Sequence, residues 1–543
     1  MRTQSVPSGW ETPVELSGFK ESPTYAETVS FLHRLEQESP NVSVQSFGTS
    51  AQGRELVYVK VSKGSAKRPV VLIQGGIHAG EIDGKDAGLM LLRDIVVGKR
   101  SDLIDTVDIV FVPVLNVDAH ENASPDGLPT QRGPHIKGAR TNSHGLDLNR
   151  DYARLESAEV PAVVKLLQRY DPALYIDVHV SDGTDYQYDV TYAFAGWGTY
   201  ARSRQTAAWL MGPYSRDLQV SLTSAGHVPG VYPSWVDEDA PSRGLRIAME
   251  APRYSTGYGD FIGVPTVLVE THTFKPYRQR VLGTYALLEQ SLRSVARDAA
   301  IISAAKKVDR GERAPSLAVA WERDLVPLEF RPFLGYHYGS YLSAASGARE
   351  LKWTGKSEQV PMPVYGTRVT QNATIPQAWW ILKGNDRLVA LLESHGINVE
   401  RLSEPKRVKL ERHFMAIGQS REAVHNEREE MLMPAGSVRV TSDQSLRLLA
   451  AALLEPTSDD SVLAMGWFDR SLPAESSLPR HVLAPMADAM MKSDAGARKE
   501  FERKLASDEH FAADPMARLR WWEQRSPYYR RTEWLYPVLM ERD

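Results

Sequence analysis

No cysteine occurs anywhere in the 543 residues. Disulfides, thiolate zinc sites and cysteine nucleophiles are thereby excluded, and any metal must be held by His, Asp and Glu. The compartment stays open on this ground, because cytosolic and exported proteins both do without cysteine. Long apolar runs are missing as well: none approaches the roughly 18 residues needed to span a bilayer. The N-terminus, Met1-Arg2-Thr3-Gln4-Ser5-Val6-Pro7, lacks an apolar signal core. The expectation is a periplasmic or secreted protein if an export signal has been removed from this chain, and a cytoplasmic one otherwise. Strong charge of one sign is also lacking. A net charge of −4 gives no electrostatic case for a nucleic-acid or anionic-membrane partner. No internal repeat or low-complexity tract interrupts the chain, and nothing in it fixes an oligomeric state.

What is present is ordinary for a globular protein, with 42% hydrophobic and 24% charged residues. The length is too great for one core, so at least two domains are expected. Residues 24–38 have helical apolar spacing through Tyr25, Val29, Leu32 and Leu35. Leu56–Val61 alternates like a strand. Val70–Ile73 and Asp108–Leu115 are continuous apolar runs, as strands buried on both faces require. Further strands are read at Ala173–Val180 and Pro265–Glu270, with helices at 84–97, 157–170 and 278–306. Residues 119–146, rich in Gly, Pro, Asn and His, are a long loop, and such loops in compact domains are usually functional. Alternating strands and helices argue an α/β domain with a mixed, mostly parallel sheet flanked by helices, covering 1–306. A linker is expected at 307–324, a second α+β domain at 325–470 and a helical C-terminal tail, packed on the body, at 471–543. That tail holds Arg518, Arg520, Trp521, Trp522, Arg525, Tyr528, Tyr529, Arg530 and Arg531. Such a stretch is either a stacking surface for a polymer or a segment docked back with snorkelling arginines, and the second is expected.

The chemistry-bearing motif is Gly75-Gly76-Ile77-His78-Ala79-Gly80-Glu81-Ile82. It sets an imidazole and a carboxylate three positions apart between a buried strand and a helix, with glycines that let backbone crowd a metal. Two ligands make only a half-site, because a catalytic zinc takes three protein ligands and leaves one position open. The third candidate is His179, at the carboxyl end of the strand Ala173–Val180, where open α/β sheets place their sites. His120, His135 and His144 of the long loop are weaker candidates, better read as solvent-facing, and His272 is taken as structural. A ligating imidazole needs a carboxylate behind it. Asp147 is chosen for that, with Asp177 as the alternative and Asp151 as a helix cap.

Taken together these pieces resemble the zinc carboxypeptidases of the M14 (carboxypeptidase A-like) family. The resemblance is carried by His78-x-x-Glu81, Arg140, Gly145-Leu146-Asp147-Leu148-Asn149-Arg150, Asp177-x-His179 and Val267-Leu268-Val269-Glu270-Thr271-His272. It covers roughly residues 20–300, and the remainder, for example Leu453–Ser461, looks like that of large bacterial members. The resemblance implies a carboxypeptidase-like fold and one Zn2+ per chain on His78, Glu81 and His179. It implies Glu270 as general base, Arg140 as oxyanion stabiliser, and Asn149 with Arg150 as the clamp for a substrate's terminal carboxylate. The family also closes a mobile tyrosine over the substrate. Tyr254 and Tyr258 are the candidates, with Tyr258 favoured because glycines flank it. The segment between them and Glu270 is shorter than in digestive members, so no preferred C-terminal residue follows. The expected partner is a peptide with a free C-terminal carboxylate. The rivals are a related zinc amidase for cell-wall peptides or N-acyl amino acids, and an inactive binding or scaffold protein that keeps the fold.

Overall fold

Apolar runs without alternation become strands buried on both faces in the computed structural model, which describes residues 6–416, 423–468, 479–526 and 533–542. Nine strands precede residue 272: β1 (Val42–Thr49), β2 (Glu55–Val61), β3 (Val70–Gln74), β4 (Asp108–Val112), β5 (Leu174–Val180), β6 (Val190–Ala193), β7 (Pro229–Val231), β8 (Leu245–Arg246) and β9 (Thr266–Thr271). Eight of them form one sheet in the order β1-β2-β4-β3-β5-β9-β6-β7. Its centre, β4-β3-β5-β9, is parallel, while β1, β2 and the β9–β6 contact are antiparallel. Every residue of β4 and β5 is buried, so neither strand shows a face to solvent.

Helices cover both faces. Tyr25–Glu38, Asp83–Val96 and Tyr277–Gly311 share one core with Val71, Ile73, Ile109 and Ile176. Glu159–Tyr170 packs on the other face with Tyr58, Leu72, Val110 and Tyr175. The helices Arg204–Trp209, Ser215–Ser224 and Ser255–Ile262 had no periodic signal strong enough to be read from sequence.

Residues 307–324 are not a free linker. The long helix runs to Gly311, and Ser316–Arg323 is a strand paired with Thr367–Thr374. A hairpin follows, Glu329–Leu342 with Arg349–Tyr365, whose end pairs in parallel with β8. The second sheet includes Ala378–Ile381, Lys406–Ala416, Ala423–Met433 and Val438–Thr441. It is completed from the far end of the chain by Glu533–Leu535 and Val538–Glu541. The tail is therefore helical only over Arg480–Glu523 and then returns as strands. Second-domain residues Trp379, Leu388 and Leu449 join the cluster that holds Tyr152, Tyr258 and Phe261 of the first sheet's domain, so the two parts share a core.

In the tail, Trp521 and Trp522 are buried against Phe501, Phe511 and Ala487, and the Arg525 guanidinium lies 3.6 Å over the Trp521 ring. These partners all belong to the tail's own helices, so the two indoles are held in a small core of the tail itself and neither is free to stack on a polymer. Tyr528, Tyr529, Arg530 and Arg531 lie outside the described residues. Among the described residues, no helix is long and apolar enough to cross a membrane.

Candidate metal centre

The carboxyl ends of β3, β5 and β9 meet at one rim. His78 lies four residues past β3, and Glu81 follows in a tight turn closed by Glu81 N–H donating to the His78 carbonyl at 3.0 Å. Glu81 sits two residues before the helix Asp83–Val96 rather than opening it. Gly76 adopts φ +59°, which an L side chain resists, and a Cβ on Gly80 would lie 2.5 Å from the Gly138 carbonyl oxygen. The glycines thus allow the turn to fold and the long loop to press on it. That loop is pinned by Ala79 N–H to the Ala139 carbonyl at 3.0 Å and by the Gln131 amide to the Gly80 carbonyl at 2.9 Å.

His179 comes from β5, side by side with Glu270 of β9 in the parallel register. His78, Glu81 and His179 are all buried, and one ligand atom from each falls within 4.8 Å of the others. The two imidazoles face the Glu81 carboxylate, His78 Nδ1 at 2.9 Å from Oε1 and His179 Nδ1 at 3.0 Å from Oε2. Their other nitrogens are held from behind. His78 Nε2 is 3.1 Å from Asp147 and His179 Nε2 is 2.8 Å from Asp177. Both carboxylates considered for that duty therefore serve it, one per ring, and Asp177 is itself fixed by the Gln74 amide at 2.9 Å and by Ser255 Oγ–H. Asp151 caps the next segment by accepting from Glu156 N–H and Ser157 N–H, each at 2.9 Å.

The electrostatics suit a cation. Burial alone would lower both imidazoles, but Glu81 and Asp147 raise His78, and Asp177 and Glu81 raise His179 well above the usual range. Burial opposes ionisation of Glu81, yet the two imidazoles beside it hold its carboxyl well below the ordinary range. Positive charge at the centre is thus favoured by three carboxylates. Two imidazole nitrogens and a carboxylate, pre-oriented by a second layer of carboxylates, are a donor set that fits zinc.

Glu270 is 7% exposed and its Oε2 is buried without a hydrogen bond. Burial pushes its carboxyl well up; the positive charge of His179 draws it back, and Glu81, Asp182 and Asp177 push it further. Arg140 donates from Nε to Asp147 at 3.0 Å, and its Nη1 is 3.9 Å from Asp182. Arg150 Nη1 lies 3.9 Å from the same Asp147 and donates to the Asn149 carbonyl at 2.8 Å. Neither Asp151 nor Glu156 pairs with Arg150. The Asn149 side chain is buried, its Oδ1 accepting from Ser255 N–H at 2.9 Å.

Tyr254 and Tyr258 part company. Tyr254 is half-buried with the Arg150 guanidinium 4.6 Å from its ring centroid. Tyr258 is 1% exposed, its ring tilted against that of Tyr152 at 5.5 Å between centroids, and hydrogen-bonded to His395 Nδ1 at 3.0 Å, deep in the shared core. It does not belong to the site. Its flanking glycines serve packing, since a Cβ on Gly257 would collide with the Ala251 carbonyl and one on Gly259 with the Thr266 side chain. The loop histidines separate as expected in part. His135 and His144 are exposed, whereas His120 is buried 3.2 Å from Lys85 Nζ, where burial and that ammonium push it down to about 4. His272 is fully buried, its ring centroid 4.3 Å from that of Tyr186.

Two neighbours carried no sequence signal. Tyr232 is close enough that, after burial, the charges of Glu270, Asp182 and Glu81 are among the causes raising its phenol. Asp182, three residues past His179, faces Arg140. With Trp235 and Tyr186 they line a cleft of about 130 Å³.

The chain is similar to known proteins over part of its length. Residues 28–225 match the family model described as zinc carboxypeptidase. That span holds His78, Glu81, Arg140, Asp147, Asn149, Arg150 and His179 and ends before Tyr254 and Glu270. Carboxypeptidase B of Astacus astacus is 26% identical over 132 residues, covering 24% of this chain and 44% of that protein. Human carboxypeptidase A1 is 30% identical over 142 residues, covering 24% of this chain and 32% of that protein. The alignments thus span less than half the length of these relatives. Among solved structures, carboxypeptidase A of Helicoverpa armigera is similar at 19% identity, over 52% of this chain and 75% of that one, with a TM-score of 0.40.

Proposed function

We propose, for a chain whose residues 28–225 match the zinc carboxypeptidase family model, that the protein is a zinc-dependent metallocarboxypeptidase. It would hydrolyse the amide before a C-terminal residue that bears a free carboxylate. The observation that carries this reading is the convergence of His78, Glu81 and His179 beside Glu270, a buried carboxylate with an unpartnered oxygen. A zinc ion on that triad supplies Lewis-acid polarisation of the scissile carbonyl and lowers the pKa of a water to about 7.

The chain's own groups divide the remaining work. Glu270, whose buried Oε2 has no hydrogen-bond partner, takes the proton of the attacking water and delivers it to the departing amine. Arg140, held by Asp147 through Nε and with Nη1 only 3.9 Å from Asp182, turns its guanidinium to the developing oxyanion. Arg150 presents a planar fork that matches a carboxylate bidentately, with Asn149 beside it. Tyr254, whose ring packs by that guanidinium, is the residue to close over the bound end. Both arginines rest near Asp147, so an arriving carboxylate meets partly neutralised guanidiniums and replaces no tight pair of Arg150.

The test compares tripeptides, amide-blocked tripeptides, cell-wall peptide fragments and N-acyl amino acids with zinc-loaded protein. Release of the last residue from unblocked tripeptides alone supports the reading. Turnover of acyl-amino acids or wall fragments alone replaces the peptidase by the related amidase. Absence of stoichiometric zinc together with absence of any turnover leaves a binding protein.

A further inference from the structure

The geometry points to His395, a residue of the second domain, as a positioning residue that sets the carboxylate clamp through Tyr258 and Ala153. This rests on the carboxypeptidase reading above. His395 follows the helix Asp386–Ser394 and is 1% exposed. Its Nδ1 lies 3.0 Å from the Tyr258 hydroxyl and its Nε2 lies 3.2 Å from the Ala153 carbonyl oxygen. A carbonyl only accepts, so Nε2 carries the proton; Nδ1 then accepts from the phenol, and a single neutral tautomer satisfies both contacts. Burial pushes this imidazole down to about 4, so it stays neutral at working pH.

The two groups it joins belong to the two segments that build the clamp. Ala153 lies four residues past Asn149 and three past Arg150. Tyr258 lies on the helix Ser255–Ile262, one turn from Ser255, whose N–H binds Asn149 Oδ1 at 2.9 Å and whose hydroxyl binds Asp177 behind His179. Between them, Tyr152 N–H donates to the Arg253 carbonyl at 3.3 Å. The second domain grips the same helix at its other approach, where Arg253 donates to Asp460 and to the Asp459 carbonyl, each at 2.8 Å. His395 touches no substrate-facing group. It fixes the rotation of one helix against one turn, and Asn149, held by Ser255 of that helix, inherits that setting.

An apolar plug at this position would fill the space and lose the direction. Removing one member of a buried polar pair leaves its partner unpaired, which lowers stability without dismantling the fold. A displacement of about 1 Å at a positioning group, by contrast, costs up to about a hundredfold in rate.

The experiment uses the full chain loaded with zinc. It measures kcat and KM on an unblocked peptide and its amide-blocked twin for wild type, Tyr258→Phe, His395→Phe, Asn149→Ala and Tyr258→Phe/Asn149→Ala. Zinc content and thermal midpoint are read alongside. Tyr258→Phe and His395→Phe should keep zinc and fold, lose about tenfold to a hundredfold in kcat/KM chiefly through KM, and narrow the preference for the unblocked end. Once Asn149 is gone, Tyr258→Phe should add little, because its effect passes through that amide. Multiplicative losses in the double variant, or unchanged kinetics in Tyr258→Phe, overturn the inference. If His395→Phe does not fold, the Tyr258 cycle decides alone. A zinc-loaded wild type inert on every peptide sinks the carboxypeptidase reading and the inference with it.

Discussion

At the scale of the residue, the account assigns the proton shuttle to Glu270. Glu270→Gln keeps the shape and removes the base, so turnover should fall by about 10²–10⁴-fold while zinc content is unchanged. Steady-state kinetics with metal analysis checks this, and a variant with near-normal turnover contradicts it. A second residue-scale prediction concerns Glu455, which is 3% exposed and accepts from the Trp379 indole at 2.8 Å. Burial pushes its carboxyl up to about 7 from the ordinary 4.5, against the pull of that indole and of Arg542. The folded protein thus keeps this proton longer than the unfolded chain. The stabilisation is complete below about pH 4.5 and is lost as pH rises through about 7. Glu455→Gln removes the titration, so urea unfolding should show a smaller loss of stability from pH 5 to pH 8 in the variant than in wild type. The convergence of His78, Glu81 and His179 is legible in the sequence because strand ends and loop starts are fixed by the apolar runs before them. The place of Tyr258 is not. Flanking glycines signal either mobility or close packing, and only the neighbours Ala251 and Thr266 decide which. Tyr232 and Asp182 reach the site by folding alone, with no spacing to announce them.

At the scale of the element, the rim depends on how the helix Asp83–Val96 is fixed, since Glu81 lies just before it. Asp83 and Arg280 form a fully buried pair, Nε to Oδ2 at 2.8 Å, and the same guanidinium donates to the carbonyls of Arg132, Gly133, Thr273 and Lys275. One side chain thus ties the start of the long helix Tyr277–Gly311, the loop and the helix after the ligand turn. Arg280→Ala leaves a buried carboxylate and several carbonyls unpaired and should cost about 3–5 kcal/mol in denaturant unfolding. A change under about 1 kcal/mol contradicts that anchoring role. Central strands were easy to read, because burial on both faces leaves an unbroken apolar run. The elements between β5 and β9 were not, because short strands such as Pro229–Val231 and Leu245–Arg246 have too few residues for a period to show.

At the scale of the whole molecule, the second domain is continuous with the first through the cluster that includes Tyr152, Tyr258, Trp379 and Leu449. The sequence suggested a linker where the chain instead builds a strand, since the charged, Pro-containing run Asp309–Pro315 has the composition of a linker whether or not its neighbours pair. The last strands of the second sheet come from the far end of the chain, a long-range pairing that local pattern cannot reveal. The arrangement places the candidate metal centre on one sheet and packs a second sheet's domain behind it. The central claim, that this rim removes single residues from free carboxyl ends, meets its most direct test in mass spectrometry of one peptide and its C-terminally amidated twin after incubation with zinc-loaded protein. The account predicts loss of one C-terminal residue from the free acid, none from the amide, and no loss with Glu270→Gln. Internal cleavage, equal turnover of the two peptides, or no cleavage by zinc-replete wild type would contradict it.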